Sequence, residues 1–324
     1  MNGSFAILLF SALALDALLG EPPNRIHPVA LFGKLAGKVE TFCRNHFGSG
    51  IGSGLLGWLF LTALAAAAAG GSTRLLAELH PVAGFAAAAL WIDLAIAPRS
   101  LLEHAGRIER ALRSGNIDAA RTALARIVSR DTAELDESEI VRGGIESLGE
   151  NLVDAVTAAL LFATAGFLVG GISGAAAAAV WFRAVNTLDA CWGYRDERYL
   201  RFGRIAARAD DLACALPSRL TLPVIALAAV FVGGSPPAAF RAGIRHRHDH
   251  PSPNSAFGMA GFAGALGIRL GGATRYGGEI EPYPYYCADG RAVLSAPNLR
   301  RAERLTAAAT LLTGLLLAGG SALC

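Results

Sequence analysis

Six stretches of the chain are apolar and long enough to cross a lipid bilayer, and they limit the fold more than any other feature. They are residues 4–20, 51–70, 81–97, 155–182, 215–234 and 305–322. A spanning helix needs about 20 mainly apolar residues, and it satisfies its own backbone hydrogen bonds in lipid. Charged residues make up only 17% of the chain, below the roughly 25% of ordinary soluble domains. The sequence therefore predicts an all-α, polytopic integral membrane protein embedded in the lipid bilayer.

Two of these stretches contain residues that interrupt helices. Gly170 and Gly171 lie inside 155–182, which is therefore either one tilted span or a tight helical hairpin. Pro223 lies inside 215–234 and favours a broken or re-entrant segment over a straight span. The side of the membrane on which the later loops lie stays open, because each alternative changes the number of crossings.

The polar segment after the third stretch is predicted to form two amphipathic helices. Apolar residues recur at helical spacing across residues 99–130, and Ser114-Gly115-Asn116 breaks the pattern. Eight arginines fall between residues 99 and 142, which places this segment in the cytoplasm by the positive-inside rule. We expect a cytoplasmic helical insertion at about 99–150.

The charged residues and the cysteines exclude several classes of function. A net charge of +3 is too small to indicate a nucleic-acid partner. Lys34 and Lys38 are the only lysines among 29 basic residues, and arginine binds phosphate bidentately. Anion recognition explains this bias, and a genome that favours arginine codons explains it equally. The five cysteines form no C-x-x-C pair, so we expect neither a disulfide framework nor a zinc site.

The strongest candidate for chemistry is an array of three carboxylates. Glu146, Glu150 and Asp154 follow one another at intervals of four residues, which places them along one face of a helix. Like charges on adjacent turns repel, and a bound Mg²⁺ ion would remove that cost. The array also runs directly into an apolar span, where ionisable groups are costly and usually functional. The alternative is a solvated helix face near the membrane surface.

A second group of polar residues follows the fourth apolar stretch. Arg183, Asn186 and Asp189 lie on successive turns of a predicted helix, and the acidic pair Asp210-Asp211 comes soon after. Adjacent carboxylates commonly bridge a metal ion and a phosphate. A helix cap with a surface carboxylate explains the same residues equally well.

A third group is a cationic loop stiffened by proline. Arg245 and three alternating histidines, the last of which is His250, precede Ser252-Pro253-Asn254. Proline fixes a turn here, and the side chains of Ser252 and Asn254 can donate hydrogen bonds to phosphate. The histidines could also bind metal, although their alternating spacing indicates this only weakly. The sequence contains no G-x-x-x-x-G-K-[ST] loop, so any nucleotide binds without a standard P-loop.

The order of these motifs resembles the adenosylcobinamide-phosphate synthase family of cobalamin biosynthesis. The matching segments are Asp16-Ala-Leu-Leu-Gly-Glu-Pro, His27-Pro28-Val29, Ser129-Arg130-Asp131-Thr132, Glu146-Ser147, Glu150-Asn151-Leu-Val-Asp154, Asn186-Thr187-Leu188-Asp189, Gly193-Tyr194, Phe202-Gly203, Ala209-Asp210-Asp211, Pro217-Ser-Arg219-Leu-Thr221, Pro251-Ser252-Pro253-Asn254, Leu270-Gly271-Gly272 and Tyr276. They cover roughly residues 10 to 280. Several motifs in one order are far more specific than any single motif.

The resemblance implies a reaction, its cofactors and a location. The family is an amide ligase that joins adenosylcobyric acid, a corrinoid, to aminopropanol phosphate with ATP and Mg²⁺. The resemblance also implies a multi-pass protein of the bacterial inner membrane, and we interpret residues 1–324 as a single membrane-embedded catalytic domain. Partners beyond the substrates and lipid stay open between a second copy of the chain and other enzymes of the pathway.

The resemblance also suggests roles for the candidate residues. Metal binding is assigned to five carboxylates, which are Glu150, Asp154, Asp189, Asp210 and Asp211. ATP or phosphate binding is assigned to Arg183, Asn186, Arg219, Arg245, His250, Ser252 and Asn254. Catalytic roles are assigned to His27, Glu146, Glu150 and Asp189, with His27 as the general base that removes the ammonium proton.

Two other functions are compatible with the same features. An intramembrane, Mg-dependent prenyl- or diphosphate-type transferase would use two Asp-rich motifs, to which Asn186–Asp189 and Asp210-Asp211 are loosely similar. A small-molecule transporter would explain broken spans that contain charge and glycine. The long polar loops with clustered carboxylates favour the ligase over both.

Overall fold

The computed structural model of the chain describes residues 2–20, 22 and 25–320. Its α-helices are α1 Asn2–Leu19, α2 Pro28–Phe47, α3 Ile51–Leu79, α4 Pro81–Ala95, α5 Pro98–Arg113, α6 Ile117–Leu124, α7 Glu137–Leu152, α8 Ala158–Trp192, α9 Arg204–Ala213, α10 Ala215–Ala228, α11 Pro236–Arg245, α12 Ser255–Leu266 and α13 Ala296–Gly320. A π-helix, Val153–Thr157, joins α7 to α8, and a 3₁₀-helix, Ala229–Val232, follows α10. Glu21 of the first family motif and Cys324 lie outside the described residues.

The few strands form two small antiparallel pairs. β1 (Leu270–Gly271) pairs with β4 (Tyr285–Tyr286), and β2 (Thr274–Tyr276) pairs with β3 (Glu279–Glu281). The chain is therefore a helical protein with a short ribbon between α12 and α13, which confirms the predicted fold class.

Four helical segments of the described chain are long and apolar enough to cross a membrane. They are Ile51–Leu79, Pro81–Arg113, Glu137–Trp192 and Arg204–Val232. They contain the predicted spans 51–70, 81–97 and 155–182, and they cover the predicted span 215–234 as far as Val232. The helices Ser4–Leu19 and Ser255–Leu266 are apolar but shorter.

The chain forms two compact units. The first unit comprises Met1–Ala97, Ala158–Cys214 and Gly314–Cys324, and the second comprises Pro98–Thr157 and Ala215–Thr313. Our interpretation of the chain as one catalytic domain stays a prediction.

In the first unit, α8 is folded into a hairpin. Gly170 and Gly171 have non-helical backbone angles, and the positive φ of 60° at Gly171 suits glycine. Phe162 stacks on Phe182 with ring centroids 5.3 Å apart, although twenty residues of straight helix would separate them by about 30 Å. Of the two alternatives for residues 155–182, the structure therefore has the tight helical hairpin.

The core of the first unit is built around aromatic residues of α8 and of the loop that follows it. Trp192 and Phe202 are fully buried and meet edge to face, with ring centroids 5.2 Å apart. Apolar side chains of α2 and α3 pack against this pair, among them Ala36, Cys43 and Leu61. This packing fixes the end of α8, which carries Asn186 and Asp189.

In the second unit, the structure confirms the two predicted amphipathic helices. α5 and α6 are separated at Gly115, whose φ is 72°, and the side chain of Asn116 caps α6 by accepting a hydrogen bond from the Ala119 N–H at 2.9 Å. In segment 215–234, α10 runs through Pro223 as a helix, passes into the 3₁₀-helix and ends at Gly233 in the left-handed region, so Pro223 does not break it. Whether this segment crosses or re-enters the membrane stays a prediction. No disulfide joins the cysteines in the described part of the chain.

Helices α7 and α12 approach closely at a pair of glycines. A Cβ atom added to Gly258 would lie 2.0 Å from the carbonyl oxygen of Gly149, which is backbone and cannot move aside. We therefore expect Gly258→Ala to destabilise the protein by roughly 1–3 kcal/mol, because overpacking forces the helices apart. Thermal unfolding in detergent measures this. Gly37→Ala is the matched control, since nothing lies within 4 Å of its added Cβ; equal stability losses in both variants would contradict the contact.

Glu303 on α13 is expected to make stability depend on pH. Burial, with a smaller contribution from Glu109, raises the pKa of Glu303 to about 7 from an ordinary value of 4.5. The folded state binds the proton of the Glu303 carboxyl more tightly than the unfolded chain does, so protonation of Glu303 stabilises the fold. This contribution to the free energy of unfolding is complete below pH 4.5 and is lost as the pH rises through 7. Glu303→Gln should therefore raise the melting temperature at pH 8 by roughly 2–4 °C and leave it unchanged or lower at pH 4.5. Glu279→Gln, at an exposed position, is the control; a rise of the same size at both pH values would contradict the argument.

Candidate functional site

In the second unit, Glu146 forms a buried ion pair that two different segments complete. Its Oε2 atom accepts a hydrogen bond from Nη2 of Arg130 at 2.5 Å, and its Oε1 atom accepts one from the Gly271 N–H at 2.6 Å. Glu146 is only 4% exposed. Burial alone would lower the pKa of Arg130, but the Glu146 carboxylate outweighs it and holds this pKa above its ordinary value. Both carboxylate oxygens thus serve to hold α7, the Arg130 loop and β1 together.

The other two carboxylates of the array differ from Glu146 in their surroundings. Glu150 is half-buried, and its Oε1 atom accepts a hydrogen bond from the Ser255 hydroxyl at 2.7 Å. Asp154 is half-buried and lies in the π-helix, a distortion that often marks functional sites. Glu150 and Asp154 are therefore more accessible to a ligand than Glu146.

The predicted phosphate loop of the second unit is ordered by its own side chains. The Ser252 N–H donates to Nδ1 of His250 at 3.0 Å, and the Ser218 hydroxyl donates to Oδ1 of Asn254 at 3.2 Å. The guanidinium of Arg219 lies 5.0 Å from the ring centroid of Phe257. Arg245 lines a separate cavity of about 610 Å³. The loop is thus a fixed turn, and its role in phosphate binding stays a prediction.

In the first unit, the end of α8 and the start of α9 bring polar side chains together. Nδ2 of Asn186 donates to Oδ1 of Asp210 at 3.2 Å, and Nη1 of Arg183 donates to Oδ1 of Asn186 at 3.2 Å. Asp189 is half-buried and interacts electrostatically with both Asp210 and Asp211. Residues 24 positions apart therefore form one acidic cluster, which we call the Asp189 cluster: Asp189, Asp210 and Asp211 beside Asn186.

The two His-Pro-Val-Ala sequences have the same structural role. Nδ1 of His27 accepts a hydrogen bond from the Val29 N–H at 3.2 Å, and Nδ1 of His80 accepts one from the Val82 N–H at 3.2 Å. Each histidine caps a helix that begins with proline, a position that proline favours. The repeat is therefore a capping motif, and the role of His27 as a general base stays a prediction.

Comparison with known proteins shows the family of the chain. Residues 9–306 match the family model described as CobD/Cbib protein. The chain belongs to the CobD/CbiB family. This is a family of cobalamin biosynthesis proteins, as the resemblance implied.

Relatives in the family cover most of the chain. The chain is 41% identical to cobalamin biosynthesis protein CobD of Geobacter metallireducens over 284 residues, which are 88% of this chain and 86% of that protein. It is 39% identical to CobD of Pelobacter propionicus over 96% of each chain, and 36% identical to cobalamin biosynthesis protein CbiB of Salmonella paratyphi B over 95% of each. No solved structure matches the chain.

The donor set of this CobD/CbiB protein fits Mg²⁺ that is bound together with a phosphate substrate. Across residues 2–20, 22 and 25–320, no group of three or more His, Cys, Asp or Glu side chains is placed to hold a metal ion by itself. Mg²⁺ in kinase-type sites is usually bound by one or two carboxylates, several waters and the substrate phosphates. The oxygen donors of the Asp189 cluster suit that mode. The five metal assignments therefore stay a proposal.

The predicted residues divide between the two units. His27, Arg183, Asn186, Asp189, Asp210 and Asp211 belong to the first, and Glu146, Glu150, Asp154, Arg219, Arg245, His250, Ser252 and Asn254 belong to the second. Their predicted convergence on one centre stays a prediction.

The residues around Arg130 form a cluster to which the sequence pattern assigns no role. Oδ1 and Oδ2 of Asp131 accept hydrogen bonds from the Gly277 and Gly278 N–H groups at 3.2 and 2.8 Å. Arg142 donates to the Gly271 carbonyl oxygen at 2.9 Å. All three charged residues line a cavity of about 790 Å³. The Ser-Arg-Asp-Thr family motif was the available signal, although such a polar cluster is more often a helix cap or turn.

Proposed function

We propose that this CobD/CbiB family member is an ATP-dependent amide ligase of the bacterial inner membrane. It joins adenosylcobyric acid to aminopropanol phosphate and yields adenosylcobinamide phosphate. The observation that carries the proposal is the Asp189 cluster, where oxygen donors that suit Mg²⁺ lie beside Arg183, whose guanidinium suits phosphate. Membership in a cobalamin biosynthesis family supports it.

The chemistry requires activation of a carboxylate. A carboxylate is a poor electrophile, so its oxygen first attacks the γ-phosphorus of ATP, and ADP leaves. The amine of aminopropanol phosphate then attacks the resulting acyl phosphate, the carbon–oxygen bond to phosphate breaks, and inorganic phosphate leaves. The amine must lose a proton to become nucleophilic, and we assign that proton to His27.

The charged residues stabilise the phosphate oxygens during transfer. Phosphoryl transfer depends on positioning and on neutralising negative charge, which Mg²⁺ supplies when bound. We assign the metal to Asp189, Asp210 and Asp211 of the first unit, and we keep Glu150 and Asp154 of the second unit as proposed metal ligands. Arg183, Arg219, Arg245 and His250, with the polar side chains of Asn186, Ser252 and Asn254, would contact phosphate oxygens. Apolar spans beside these groups suit a large amphiphilic corrinoid that approaches at the membrane surface.

Turnover by the purified full-length chain in detergent tests the proposal. With adenosylcobyric acid, aminopropanol phosphate, ATP and Mg²⁺, we expect one ADP and one phosphate for each adenosylcobinamide phosphate formed. Omitting either corrinoid or amine should stop product formation. Release of pyrophosphate from a prenyl donor without ATP would instead indicate a transferase. Absence of any substrate-dependent ADP formation would overturn the ligase assignment and leave the transporter.

A further inference from the structure

The 790 Å³ cavity of the second unit, which we call the Arg142 cavity, has a balanced set of charges. Its charged lining residues are three arginines and three carboxylates, namely Arg130, Arg142, Arg275, Asp131, Glu134 and Glu139. The formal charge of the lining is therefore zero. A nucleoside triphosphate, a polyanion, would meet as many carboxylates as arginines here, so the cavity is poorly matched to ATP.

One cation and two anions of this lining, Arg142, Asp131 and Glu139, form no ion pair in the described part of the chain; Glu139 accepts a hydrogen bond from the Asp136 N–H at 3.1 Å. Arg142 donates only to carbonyl oxygens, those of Gly271 at 2.9 Å and Ala273 at 3.4 Å, and its buried Nε atom has no hydrogen-bond partner among the residues that the structure describes. Among the described residues, the Asp131 carboxylate accepts hydrogen bonds only from the backbone N–H groups of Gly277 and Gly278. Within the described part of the chain, neither forms an ion pair, whereas Arg130 pairs with Glu146 and Arg275 pairs with Glu134.

The short ribbon holds both of these charged residues in place. Arg142 is bonded to the carbonyl groups just before β2, and Asp131 is bonded to the N–H groups just after β2. A further hydrogen bond, from the Asp131 N–H to the Arg275 carbonyl oxygen at 2.9 Å, fixes the loop that contains Asp131 to β2. Arg142 and Asp131, two opposite charges that form no ion pair, are thus held by the backbone of the ribbon rather than by flexible contacts.

We propose that the Arg142 cavity binds a small phosphomonoester that carries a primary amine. The phosphate would contact Arg142, and the ammonium would contact Asp131 and Glu139. This inference rests on the proposed function for the identity of the ligand, aminopropanol phosphate, and it assigns a site to that substrate. A ligand with both charges satisfies Arg142 and the two carboxylates at once, which neither a simple anion nor a simple amine can do.

Binding measurements on the full-length chain in detergent test the site with two probes. The probes are aminopropanol phosphate and propyl phosphate, which lacks the amine. We expect Arg142→Gln to weaken the binding of both probes by roughly 10- to 100-fold, because a charge-assisted hydrogen bond to the phosphate is lost. We expect Asp131→Asn to weaken the binding of aminopropanol phosphate by roughly 10-fold, and to leave the binding of propyl phosphate unchanged or make it tighter. Arg126→Gln, at an exposed position of the same unit, is the matched control and should bind both probes as the wild type does.

The outcomes separate the site from the proposed function. If Arg142→Gln binds aminopropanol phosphate as tightly as the wild type, or if the wild type binds neither probe, the site is wrong even when the chain makes adenosylcobinamide phosphate. If binding depends on Arg142 but no ADP is formed with all substrates present, the ligase assignment fails and the site stands. Should Arg142→Gln fail to fold, Asp131→Asn decides alone: selective loss of the amine probe supports the site, and any other pattern overturns it.

Discussion

Asp189→Asn is expected to lower the rate of adenosylcobinamide phosphate formation by roughly 10³-fold, the size of effect seen when a group that stabilises transition-state charge is removed. Asparagine keeps the size of the side chain and removes only the charge. Asp189 interacts with Asp210 and Asp211, so the substitution also removes a repulsion. The variant should therefore melt at the same temperature as the wild type or higher.

Steady-state kinetics at varied Mg²⁺ separates this effect from a loss of structure. The variant should need a higher Mg²⁺ concentration for half-maximal rate, and Glu197→Gln, an exposed carboxylate of the same unit, should behave as the wild type. A rate for Asp189→Asn within about threefold of the wild type would remove the metal assignment from this cluster.

Arg130→Met is expected to destabilise the second unit by about 3–5 kcal/mol, because it leaves the Glu146 carboxylate buried without its counter-ion. The double variant Arg130→Met with Glu146→Gln should recover more than half of that loss. Glutamine is uncharged and can still accept the hydrogen bond from the Gly271 N–H. Thermal and denaturant unfolding in detergent measure both variants.

Arg275→Met is the matched control for this prediction. Its guanidinium pairs with Glu134 at 2.6 Å, but the two side chains are 45% and 81% exposed. Exposed pairs contribute at most about 1 kcal/mol. Equal destabilisation by Arg130→Met and Arg275→Met would show that burial of the Glu146 pair adds nothing.

The features that the sequence predicted depend on local pattern. Apolar length indicated four of the six predicted spans, whereas 4–20 forms a shorter apolar helix and 305–322 is not among the candidate spans of the described chain. The break at Gly115 separated the two amphipathic helices, and Gly170-Gly171 made a hairpin one of two alternatives. Each of these is decided within a short window of the chain, where periodicity and helix breakers act directly.

The features that it missed depend on which distant groups meet. Periodicity places Glu146 on a helix face, but it does not show that Arg130 and the Gly271 N–H cover that face. Buried Glu40 is a second example, since Arg44, Arg198 and Tyr199 all donate to its carboxylate. Nothing in the sequence around Glu40 indicates that Arg198 and Tyr199, which lie 158 and 159 positions away, donate hydrogen bonds to it.

The hairpin in α8 has a consequence for how the chain enters the membrane during synthesis. Residues 158–182, which form both arms of the hairpin, contain no charged side chain. Val169 at the tip is apolar and 92% exposed. Translocating the tip therefore moves no ion across the hydrocarbon, where a charged side chain costs about 3 kcal/mol or more. Both arms can partition into lipid as one unit, without exporting a hydrophilic loop.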